Sequence, residues 1–308
     1  MLRLAALALG LLLLSGCVTY PDISQSRSPC RNQPGGWCAF VREAAVEAWP
    51  YAVAATNAYT GDDDLYGDDG PLLDQLERLP IEEADASKGF GYEIFAQYAP
   101  GTANEPGRQP IARIMAFRGT DFDGFTDIFY GTLRSDQIAL ALKYFEAERE
   151  RWGSDPQWVV TGHSLGGALA TEVSIKYPAV RAYMFNTSPF YGGDAMTNDV
   201  QRHVFNERGE VLRRFARFDV DPAAEVFTVN CGPQNGSFTK HKVRPLADCL
   251  AWIAAYDSDD ALALVQANGL QKPMVECGPA DKVHPGRESR PAEPCVHQAR
   301  RDGDKQSD

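Results

Sequence analysis

Trp158-Val159-Val160-Thr161-Gly162-His163-Ser164-Leu165-Gly166-Gly167-Ala168-Leu169-Ala170 is the stretch on which the fold turns. A short β-forming run ends at Gly162, and after the glycine pair the residues are small, apolar and suited to a helix. A chain that passes this sharply from strand to helix is strained at its apex, and side chains at positions 162 and 166 would collide there. Glycine at both positions lets Ser164 project above the end of the strand. The N–H of Leu165, first in the expected helix, then points to where negative charge gathers if Ser164 attacks a carbonyl. The stretch thus predicts a strand, a tight turn and a helix, with a candidate nucleophile at the bend.

The neighbouring segments extend the pattern. Residues 90–98 alternate as a strand, a Pro/Gly-rich turn follows, and residues 111–117 form a second strand, which predicts a hairpin ending at Arg118-Gly119-Thr120. Between 135 and 152 the apolar residues Ile138, Leu142, Phe145 and Trp152 share a helical face, and Gly153-Ser154-Asp155-Pro156 stops that helix. Further strands are expected at 181–185 and 203–205. Helices are expected at 40–51, on a stripe of Phe40, Ala44, Ala48 and Tyr51, and at 246–253. Strands alternating with helices predict an α/β fold with a mostly parallel central sheet flanked by helices. The Asp runs at 62–64 and 68–69 read as solvated loops, since they lack the regular spacing of a calcium loop.

The elbow Gly162-His163-Ser164-Leu165-Gly166-Gly167 and the strand end Phe117-Arg118-Gly119-Thr120 together resemble the class 3, fungal-type lipases of the α/β-hydrolase superfamily. Asn186-Thr187-Ser188-Pro189 is similar to a segment of that family at the pocket rim, and the resemblance runs from about residue 90 to 260. It implies an ester hydrolase acting on lipids (triacylglycerol lipase, phospholipase or esterase) that needs no cofactor. It also implies an oxyanion hole built from the backbone N–H groups of Thr120 and Leu165.

Serine needs a base, and imidazole suits that task near neutrality. Of five histidines, His163 adjoins the nucleophile and is expected to pack or hydrogen-bond beneath the elbow. His203 opens a strand, and His284 and His297 lie in the polar tail. His241 follows the strands and precedes the 246–253 helix, where the resembling family places its base. The acid is expected between nucleophile and base in the chain. Asn206-Glu207-Arg208-Gly209-Glu210-Val211 looks like the family's Asn-x-x-Asp-x-Val segment, with Glu210 nearest the acid. The carboxylate is Glu, one position late, and no proline follows Val211, so Asp219 and Asp221 stay as alternatives.

The chain opens with Met1-Leu2-Arg3 and an uncharged apolar run at 4–14, the layout of a signal peptide and too short to span a bilayer. Leu14-Ser15-Gly16-Cys17 resembles a bacterial lipobox, which implies cleavage before Cys17 and acyl chains upon it. Val18 in place of Asp then suggests the outer membrane of the cell envelope. Residues 1–16 are read as a lipoprotein signal peptide and 17–38 as the lipidated N-terminus and a polar tether. Residues 39–270 form the hydrolase domain and 271–308 a polar C-terminal tail. Of seven cysteines, six remain for an oxidising compartment, and short loops favour pairing Cys30 with Cys38, Cys231 with Cys249 and Cys277 with Cys295. Without a C-x-x-C pair no metal site is expected. A formal net charge of −12 disfavours nucleic acid as a partner. The expected partners are an ester substrate and, through the anchor, a membrane; oligomeric state is not legible. Two other functions stay open: an inactive lipase-like binding or scaffold lipoprotein, and an acyltransferase.

Overall fold

Seven strands pair in sequence order: β1 (Leu76–Leu79), β2 (Tyr92–Gln97), β3 (Ala112–Phe117), β4 (Gln157–His163), β5 (Arg181–Phe185), β6 (Arg202–Glu207) and β7 (Glu225–Val229). The computed structural model describes residues 30–273 apart from 31–32, 60–65, 67–74, 83–88, 103–104, 120–130, 190, 216–221 and 233–234. β1, β2 and β3 pair antiparallel, with the expected hairpin in register from Tyr92 opposite Phe117 to Gln97 opposite Ala112. From β3 to β7 every pairing is parallel. The chain is thus an α/β fold with a mostly parallel sheet flanked by helices.

Six α-helices accompany the sheet among the described residues: α1 (Ala39–Asn57), α2 (Gly131–Trp152), α3 (Leu165–Lys176), α4 (Ser237–His241), α5 (Val243–Ala254) and α6 (Asp259–Ala267). Alternation along the strands separates two cores. Ile114, Val159, Tyr183, Phe185 and Phe205 face α1 and α5 on one side. Met115, Val160, Met184 and Val204 meet Phe145 of α2 and Leu169 and Val173 of α3 on the other. Strands buried on both faces read as continuous apolar runs, which is why β4 and β5 were legible.

Three features differ from expectation. Of the expected stripe on α1, Ala48 and Tyr51 are buried and Ala44 is partly buried, but Phe40 is 56% exposed; Val41, Ala45 and Ala52 are buried beside them, and from Ala48 to Asn57 the helix is buried all round. Its alanines allow close packing against the small residues Ala247, Ala251 and Ala254 of α5. Residues just before 39 are not a loose tether: Cys30 is joined to Cys38, a short 3₁₀ turn runs over Pro34–Gly36, and Trp37 is wholly buried. β1 and β7 were not foreseen, being short and partly exposed edge strands without regular alternation.

Candidate active site

Ser164 sits between β4 and α3 with φ 56° and ψ −122°, a backbone that side chains rarely adopt. The glycines around it explain how the bend closes. A Cβ on Gly162 would lie 2.3 Å from the carbonyl of Gly166, and one on Gly166 would lie 2.2 Å from the carbonyl oxygen of Phe117. The bend is pinned from both sides: the N–H of Ser164 donates to the carbonyl of Phe185, and its own carbonyl accepts from Gly167, Ala168 and Ser188. The N–H of Leu165 takes part in no hydrogen bond among the described residues, which leaves it available at the positive end of α3.

The hydroxyl of Ser164 is 3.0 Å from Nε2 of His241. Nδ1 of the same ring is 2.8 Å from Oε2 of Glu210, which also accepts the N–H of Leu212. Ser164, His241 and Glu210 are all buried, 1 to 2% exposed, so the chain of three lies out of bulk water. Glu210 follows the end of β6 through a turn in which Gly209 has φ 78° and the N–H of Glu210 donates to the carbonyl of Glu207.

His241 ends α4, and its placement depends on groups far apart in sequence. Its backbone carbonyl accepts from Asn186 Nδ2 at 3.1 Å and from His163 Nε2 at 2.6 Å. Asn186 (φ 43°) also donates to the carbonyl of Lys240 and accepts the N–H of Glu207, so it clamps the end of β5 to β6 and α4. Glu207 binds the N–H groups of Cys231 and Gly232 with its carboxylate. The disulfide from Cys231 to Cys249 closes a loop of sequence separation 18 that contains His241. That bond restricts the segment bearing the imidazole before any substrate binds.

The remaining expected residues fall as follows. His163 lies below the elbow with no contact to the serine hydroxyl. Burial, and then the neighbouring His241, push its pKa well below the ordinary imidazole range, so the ring is neutral. His203 stands on β6 with Nδ1 3.0 Å from Glu225, away from the site. Thr120, Asp219, Asp221, Cys17, His284 and His297 lie outside the described residues, as does the Cys277 and Cys295 pair. Gly119 is described: a Cβ there would meet the carbonyl oxygen of His163 at 2.7 Å and Cβ of Ser164 at 3.3 Å, so the strand end passes against the nucleophile. Asn186 and Glu207 carried no sign of these duties in the sequence. No group of three or more metal-ligating side chains is gathered among the described residues.

The parallel sheet, the strained strand-to-helix bend and the chain order serine, glutamate, histidine define the α/β-hydrolase class of fold. No protein-family model matches the chain, and no curated protein matches it in sequence. Solved structures similar to it include a lipase from Rhizopus microsporus var. chinensis (16% identity over 56% of this chain and 70% of that one, TM-score 0.41). A mutant of MDLA from Penicillium cyclopium gives 16% identity over 67% of this chain and 86% of that one, with a TM-score of 0.43. Lipase II from Rhizopus niveus gives 14%, 55%, 74% and 0.41 on the same measures. With identities this low, the site's own geometry carries the functional conclusion.

Proposed function

We propose that the protein is a serine hydrolase that cleaves carboxylic esters through an acyl-enzyme, with lipid esters as its substrates. The observation that carries this reading is the hydrogen-bonded line from Ser164 Oγ through both ring nitrogens of His241 to Glu210, set on a strained elbow. His241 Nε2 takes the hydroxyl proton as Oγ attacks the ester carbon. The oxyanion is held by the N–H of Leu165 and, by resemblance, that of Thr120. His241 then returns the proton to the leaving alkoxide, and water, activated by the same ring, releases the acid. Glu210 holds the Nδ1–H tautomer and stabilises the imidazolium. Lipid substrates are favoured by Phe238, a large apolar side chain 56% exposed on the short helix that ends in His241.

Labelling with a fluorophosphonate tests the reading directly. Wild-type protein is expected to be modified at Ser164, as mapped by mass spectrometry, and His241→Ala to lose the label. Modification at another residue would move the nucleophile away from Ser164, and no modification would leave a scaffold or binding role in its place.

Residues 1–16 and Cys17 complete the proposal: we read the protein as a lipoprotein tethered to the outer membrane of the cell envelope through acyl chains on Cys17. Replacing Cys17 by serine is expected to move the protein from the membrane pellet to the soluble fraction and to stop palmitate incorporation. Unchanged fractionation and labelling would refute the anchor without touching the hydrolase reading.

A further inference from the structure

Beneath the elbow lies a second histidine that the acyl-transfer steps do not use. Its two ring nitrogens are both engaged. Nε2 of His163 faces the backbone carbonyl of His241 at 2.6 Å, and Nδ1 faces the hydroxyl of Tyr59 at 2.7 Å. The hydroxyl of Tyr59 in turn accepts the N–H of Gly119 at 3.2 Å. We propose that Tyr59 and His163 are positioning residues for the base. They form a one-way hydrogen-bond chain that fixes the carbonyl of His241 and ties it to the strand end from which Thr120 follows.

The direction of the chain comes from elementary donor and acceptor rules. A carbonyl oxygen only accepts, so Nε2 of His163 carries a hydrogen. The ring is buried in the core beside a second imidazole, at 4.8 Å between centroids, and is neutral there, so Nδ1 has a lone pair and must accept. Tyr59 therefore donates its hydroxyl hydrogen to Nδ1, and its oxygen is left to accept from Gly119. Every link has one allowed sense, and each polarises the next toward His241. The chain joins the three parts of the sequence that the chemistry needs at once: the strand end before Thr120, the elbow and the base.

Two consequences follow for the reaction. His241 becomes an imidazolium when it takes the proton of Ser164, and a neutral ring beside it adds no repulsion. Its carbonyl, held by Asn186 as well as His163, resists rotation of α4, so Nε2 keeps its 3.0 Å approach to Ser164 Oγ. Without the hydroxyl of Tyr59, Nδ1 of His163 is left as a buried acceptor without its hydrogen, and the ring, held at Nε2 alone, loses the anchor that sets its tilt and with it the position of the His241 carbonyl. The inference rests on the hydrolase reading, since it concerns how that base is held.

The test combines a spectrum with a rate. In nitrogen-15 NMR of wild-type protein, His163 is expected as the neutral Nε2–H tautomer, without titrating between about pH 5 and pH 8. Tyr59→Phe is expected to keep the Nε2–H tautomer but move the Nδ1 resonance toward that of an unpartnered ring nitrogen, and to lower kcat by roughly ten- to hundredfold, with KM nearly unchanged. His163→Gln, which retains a side-chain N–H toward the carbonyl, is expected to keep more activity than His163→Leu. A wild-type ring in the Nδ1–H form, or one that titrates in that range, overturns the inference even if the variants do not fold. So does a Tyr59→Phe protein labelled by fluorophosphonate at the wild-type rate. Wild-type protein that takes no label at all overturns the hydrolase reading instead, and this inference with it.

Discussion

Ser164→Ala is expected to remove ester hydrolysis almost entirely, with kcat falling on the order of 10⁴- to 10⁶-fold and the fold retained. The oxygen lost is the nucleophile that the imidazole of His241 faces at hydrogen-bonding distance, 3.0 Å from Nε2. Rates on a chromogenic acyl ester, compared with melting by circular dichroism, separate lost chemistry from lost fold. Ser164→Gly sharpens the contrast. It removes the same hydroxyl but relieves a backbone at φ 56°, a strain of about 1 to 3 kcal/mol that offsets glycine's greater chain entropy. The glycine variant is therefore expected to be as inactive as the alanine variant and to melt no lower. A Ser164→Ala protein that still turns over ester at even a tenth of the wild-type rate, about 1.4 kcal/mol of barrier, would place the nucleophile elsewhere.

How far the sequence alone reaches is clearest at the elbow. Short apolar runs ending in glycines encode local geometry, so β4, the bend and α3 were legible from residues 158 to 176. The parallel sheet followed from the alternation around them. The base and its acid were harder, because their roles depend on where distant strand ends meet. His241 was found by its place after the strands, and Glu210 by a segment after β6 in which Asp219 and Asp221 competed. The side chains that hold these groups were not legible at all. Tyr59 lies 104 residues from the ring it touches, and Asn186 reaches 55 residues to the carbonyl of His241. Nothing in a local pattern announces such contacts, since they arise only when β5, β6 and α4 end at the same edge of the sheet. The stripe on α1 missed at Phe40 for a related reason. Its burial is set by α5 packing alongside, so alanines rather than the large Phe40 mark the inner face.

Glu210→Gln is expected to lower kcat by roughly 10³- to 10⁴-fold with KM little changed, the cost of losing a negative charge that the transition state needs. Oε2 of Glu210 accepts two hydrogens, one from His241 Nδ1 and one from Leu212 N–H, while Oε1 has no hydrogen-bond partner among the described residues. A glutamine in that place has two choices. With its oxygen at the Oε2 position both hydrogen bonds survive, but a buried NH₂ replaces the unpartnered oxygen, at a cost of about 1 to 3 kcal/mol. With the amide reversed, its NH₂ meets the N–H of Leu212 and drives His241 to the tautomer whose Nε2 carries hydrogen, which cannot accept the proton of Ser164. Neither arrangement stabilises the imidazolium. Glu210→Asp retains the charge but shortens the side chain by one methylene, so it is expected to recover part of the rate that glutamine loses. The two variants measured side by side in steady-state kinetics distinguish charge from reach. A Glu210→Gln protein within threefold of wild type, about 0.65 kcal/mol in the barrier, would remove Glu210 from the reaction and pass its role to Asp219 or Asp221.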